Sequence, residues 1–161
     1  DFFKKARFMR VKSPTEFVVG VLKLVGTFRE LKPGLSAYSG VTTNMGQQLF
    51  NPPSVEGWHT GHEWIDGGNL TERVNFAANE IADGEKPGII EIANRLHARG
   101  SLSSPEKLVD DSLDLMGPLT VNEETRSSLV AFAAECEGDD EKSRIVRMLR
   151  MIVSVPEYQF A

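Results

Sequence analysis

A chain of 161 residues is long enough to bury a real core and fits one domain. With 40% hydrophobic and 25% charged residues, its composition is that of a globular protein and excludes disorder along the whole chain. A formal charge of -5 argues against nucleic acid as a partner, because phosphate binding needs a positive footprint.

Positive charge is local. Lys4, Lys5, Arg7, Arg10 and Lys12 crowd the start, and Arg144, Arg147 and Arg150 line a late helix; both groups read as solvated faces. Cys136 is the one cysteine, so neither an intramolecular disulfide nor a cysteine-based metal cluster can form. Its apolar neighbours mark it as a buried structural thiol. The longest apolar run, residues 17–25, is broken by Gly20 and Lys23 and falls short of the ~20 residues that span a bilayer. The chain opens on Asp1 rather than methionine, which reads as a fragment or a processed product.

The periodicity is helical almost throughout. Ser13-Pro14-Thr15-Glu16 starts the first helix, with serine as cap, proline in the first turn and glutamate closing a capping box. Phe17, Val21, Leu24, Val25 and Phe28 follow at helical spacing, and Lys32-Pro33-Gly34 reads as the stop. A short helix is expected near residues 43–48.

Residues 49–68 read as a long ordered loop rich in tryptophan, proline and glycine, punctuated by Asn51-Pro52-Pro53 and Asp66-Gly67-Gly68. A helix is expected over 69–82, with Leu70, Val74, Ala77, Ala78 and Ile81 inward. Another over 87–98 turns Ile89, Ile92, Ala93 and Leu96 inward. Ser104-Pro105-Glu106 opens a helix bearing Leu108, Val109, Leu113 and Met116. Asn122 caps the next, with Leu129, Phe132, Ala133 and Cys136 inside. The last carries Ile145, Met148, Leu149 and Ile152 before Pro156. The expected architecture is all-α, a bundle of about five or six helices with the aromatic loop laid across it.

Chemistry-bearing residues concentrate in that loop. His59, His62 and Glu63 form the best metal candidate, since two imidazoles and a carboxylate can hold a divalent ion, although the spacing matches no established zinc signature. Trp58 and Trp64, with Gln47, Asn51, Glu56 and Phe50, could stack a sugar ring or a proline-rich peptide. The competing and favoured reading is that the tryptophans anchor the loop, since each buried aromatic side chain is worth about 2–3 kcal/mol. His97, between Arg95 and Arg99, fits a helix C-terminus. Ser39-Gly40 and Ser54 are expected in loops, outside any nucleophile-elbow pattern.

Gly46-Gln47-x-Leu49-Phe50-x-Pro52-Pro53-x-Val55-x-Gly57-Trp58-x-x-Gly61-x-x-Trp64-Ile65, followed by Leu70-x-x-Arg73-x-Asn75-Phe76, resembles the hallmark segment of a bacterial family, domain of unknown function 1800. Residues 12–20 resemble the stretch that precedes the hallmark, and residues 153–159 the family's usual ending. His59 and Gln48 stand where proline is common in the family, and position 62 is variable there. The resemblance implies that the chain is the C-terminal part of an exported protein about three times as long, periplasmic or extracellular; it supplies no catalytic residue.

Arg73 is expected to tie the loop's polar groups by a hydrogen bond or an ion pair. The function this reading favours is a non-catalytic binding or assembly module. Its partners would be the upstream part of the same protein, another exported protein or a cell-envelope polymer. The alternative is a fragment of a metal-assisted hydrolase built on His59, His62 and Glu63, with a divalent metal as its cofactor. A third reading is that the hallmark only staples the fold and docks the upstream region.

Overall fold

The computed structural model describes residues 8–27, 29–30 and 33–161. Among them lie seven α-helices: α1 Pro14–Val25, α2 Tyr38–Asn44, α3 Gly67–Ala82, α4 Pro87–Arg99, α5 Pro105–Leu115, α6 Glu123–Glu135 and α7 Glu141–Ser154. Six are long and α2 is short. There is no strand among the described residues, only two isolated bridges, so the all-helical expectation holds. None of the described helices is long and apolar enough to cross a membrane.

The helix starts follow their caps. The Ser13 hydroxyl accepts from the Glu16 amide while the Glu16 carboxylate accepts from the Ser13 amide, the reciprocal box the sequence announces. Ser104 and Asn122 cap α5 and α6 in the expected way, and Asp140 caps α7.

Several boundaries differ from expectation. Helix α1 stops at Val25, not at residues 32–34, because Gly26 turns left-handed (φ 78°) and its amide closes the last turn onto the Leu22 and Lys23 carbonyls. Phe28 and Lys32, as well as Lys4, Lys5 and Arg7, lie outside the described residues. The short helix covers Tyr38–Asn44 rather than 43–48, which puts Ser39 and Gly40 on a helix. Gly67 and Gly68 open α3 instead of forming a turn.

One core gathers the inner faces of all the long helices. Phe17, Val21, Leu22, Ala77, Ile81, Ile89, Leu96, Leu108, Leu129, Met148 and Leu149 are among its buried members. α5 packs on its chain neighbour α6, whereas the most extensive packing of α3 is against the distant α7. Leu70 departs from its expected inward position and is 37% exposed, because the inner row of α3 runs Arg73, Ala77, Ile81. Gly88 is a packing residue: a Cβ there would stand 1.9 Å from the Leu24 carbonyl oxygen, so only glycine lets α4 lie so close to the end of α1.

Candidate functional site

The segment between α2 and α3 is fixed at both ends. On the near side, the Gln47 side-chain oxygen accepts from the amide (2.9 Å) and hydroxyl (2.8 Å) of Thr15, which ties it to the first turn of α1. The Trp58 indole donates to the Gln48 carbonyl at 3.0 Å and closes residues 48–58 into a loop. Asn51 donates to the Gln48 side chain at 2.9 Å, and Ser54 bridges to Gly57. On the far side, residues Gly61–Ile65 form a 3₁₀ turn whose Trp64 is 8% exposed. Asn69 donates to the Glu63 carbonyl at 3.1 Å and joins that turn to α3.

Between these anchors the chain presents its apolar side chains outward. Phe50 is 98% exposed and Val55 106%, so neither touches the rest of the molecule. Phe50 also sits at φ 61°, a left-handed conformation costly for a bulky side chain. Glu56 is exposed beside Val55. The tip is therefore apolar, acidic at its edge and held in place from behind.

The three metal candidates do not converge. His59 Nδ1 lies 2.7 Å from the Glu63 carboxylate four residues on, both well exposed. His62 turns the other way and meets the Phe160 ring edge-on at 6.4 Å between centres. Among the described residues there is no group of three His, Cys, Asp or Glu side chains placed to hold a metal ion. His97, in the last turn of α4, faces Glu141 at 3.5 Å.

Arg73 goes elsewhere than expected. It is fully buried, donating from Nε to Gln159 Oε1 (2.8 Å) and from Nη2 to the Lys12 carbonyl (2.9 Å), with its guanidinium 4.4 Å from the centre of the Phe17 ring. Instead of tying the loop, it ties the two ends of the chain. Those ends form a clasp: Lys12 N donates to Gln159 O (2.9 Å) and Ala161 N to Arg10 O (2.7 Å), with an isolated antiparallel bridge between Val11 and Phe160. Lys12 Nζ donates to the Tyr158 carbonyl at 2.7 Å and stands over the Tyr158 ring.

Burial and the neighbouring Arg73 cation press the Lys12 ammonium down to about 8, and burial alone lowers the Arg73 guanidinium to about 10. Glu16 is held down to about 2, chiefly by its bond to Arg10. The clasp escaped sequence reasoning because its partners lie at opposite ends of the chain; the only signal was an arginine on an otherwise apolar stripe.

The binding candidates thus separate into two groups. Gln47, Trp64 and Arg73 are engaged in the fold, whereas Trp58 is half-buried at the neck of the loop and Asn51 and Glu56 lie on its exposed part. Val55 belongs with them at the tip.

The sequence model of the family described as protein of unknown function (DUF1800) matches residues 1–160, so the chain belongs to that family. No curated protein matches the chain, and no solved structure does.

Proposed function

We propose that this DUF1800 member is a non-catalytic binding or assembly module of an exported bacterial protein, working in the periplasm or outside the cell. It engages its partner through the aromatic loop. The partner is another exported protein or a cell-envelope polymer, and the upstream part of the same protein packs beside it. One observation carries this reading: Phe50 and Val55 are fully exposed on a segment that Trp58, Trp64 and Gln47 hold from behind. An ordered apolar tip costs solvation and, at Phe50, backbone strain, and such features persist where a partner covers them.

The test is co-purification of the chain with envelope fractions, comparing wild type with Phe50→Ser/Val55→Ser. The expected result is loss of the bound component from the variant at unchanged melting temperature. Equal retention by both proteins overturns the reading.

The second reading is metal-assisted hydrolysis on His59, His62 and Glu63. The observation in its favour is the contact of His59 with Glu63, since a carboxylate on one ring nitrogen orients the other toward a metal or a proton. Calorimetric titration with zinc tests it. Stoichiometric binding by the wild type that His59→Ala/His62→Ala abolishes supports the hydrolase; heat of dilution alone in the wild type removes it.

A further inference from the structure

The loop tip has a counterpart on the same chain. A surface cavity of about 230 Å³ between α3, α6 and α7 is lined by Ala78, Phe132, Met151, Arg147, Arg150 and Ser154. The Arg147 guanidinium lies 5.3 Å from the Phe132 ring centre and is paired with Asp139. Arg150 is exposed and has no carboxylate partner among the described residues. The lining is therefore mixed: Ala78, Phe132 and Met151 supply its apolar part, Arg147 and Ser154 its polar part, and Arg150 is its uncommitted cation.

The tip has the complementary character. Phe50 and Val55 are its apolar part, Glu56 its charge, and there is no lysine or arginine anywhere from residue 33 to 72. Their near-complete exposure shows that the tip does not occupy its own chain's cavity. Ala78 stands about 16 Å along α3 from Gly67, at 1.5 Å per residue, so tip and cavity are separate places on one molecule.

We propose that the cavity receives the loop tip of a second copy of this chain, with Phe50 against Ala78, Phe132 and Met151 and Glu56 opposite Arg150. The contact is head-to-tail: each copy offers a tip to one neighbour and a cavity to another. It rests on the reading of the tip as a docking surface and names one partner for it. A single tip in a single cavity is a small interface, so association is weak and appears at high protein concentration.

Sedimentation equilibrium of the purified chain over roughly 0.01–1 mM tests this. The expected average mass rises with concentration and falls back toward the monomer in about 0.5 M salt. Phe50→Ser lacks the tip and Arg150→Glu lacks the cavity's cation. Both positions are exposed, so both variants fold, and each alone stays monomeric. Mixed in equal amounts they form a dimer that grows no further, because one supplies an intact cavity and the other an intact tip. A wild type that is monomeric throughout, or a mixture that does not dimerise, overturns the proposal. If Phe50→Ser/Val55→Ser loses its envelope partner while the wild-type chain stays monomeric, docking through the tip stands and only self-association falls.

Discussion

Trp64 and Phe50 belong to the same segment between α2 and α3, and the structure uses them in opposite ways. Trp64 is buried on its 3₁₀ turn, beside an α3 whose first inward residue, Arg73, is sealed between the chain ends. Phe50 touches nothing and holds a backbone conformation that its side chain disfavours. Aromatic content alone therefore does not mark a site: one aromatic residue stabilises the fold, and the other costs stability where it stands. The second kind is the informative one, because burial of the ring accounts for Trp64, whose indole N–H is left without a partner among the described residues, and leaves Phe50 unexplained.

Substitutions can break that contrast. The largest effect is expected from Trp64→Ala, which should lower stability by about 3–4 kcal/mol through lost burial and a cavity, read as a shift of the urea midpoint. A loss below about 1 kcal/mol would place Trp64 with Phe50 and dissolve the distinction. Arg73→Lys should cost roughly 2–3 kcal/mol, since an ammonium cannot make both the Gln159 and Lys12 bonds while lying flat on Phe17. Stability close to that of the wild type would show that the guanidinium geometry is dispensable.

The clasp also sharpens the comparison through pH. Lys12 titrates near 8 when folded and near 10.5 when unfolded, so between those values the unfolded chain binds more protons and stability rises with pH. Above about 10 the buried Tyr158 phenol, which resists ionisation, acts in the opposite sense. Lys12→Met should remove a rise on the order of 1 kcal/mol across pH 8–10, measured by urea titration at each pH. A wild-type profile that is already flat there would contradict the burial of that ammonium. The smallest effect has the opposite sign from the first two. Phe50→Gly should stabilise the chain by about 0.5–1 kcal/mol, because glycine accepts φ 61° without strain and no burial is lost. Destabilisation would mean that Phe50 is part of the fold after all.

Much of the bundle was legible in the sequence because its signals are local. The capping box at Ser13, the caps at Ser104 and Asn122, and the inward rows of α4, α5 and α7 each depend on residues within a turn or two of one another. What was not legible depends on distant partners. The need for glycine at position 88 shows only once Leu24 is seen against it, and Arg73 reads as a tie to the loop until Gln159 and Phe17 enclose it. The end of α1 is not legible in the apolar row, which runs on in the sequence to Phe28, because Gly26 outweighs it. At the candidate site the residue types were visible, but their directions were not: nothing in His59-x-x-His62-Glu63 reveals that one imidazole meets a carboxylate and the other Phe160.

The clasp between residues 10–12 and 159–161 also governs how the chain bears load. Arg10 and Ala161 stand side by side, so tension applied across residues 10 and 161 falls on a few backbone hydrogen bonds and the Lys12 and Arg73 ties before any helix feels it. Pulled apart at these two residues, the molecule should open first like a buckle, with the helices still packed behind it.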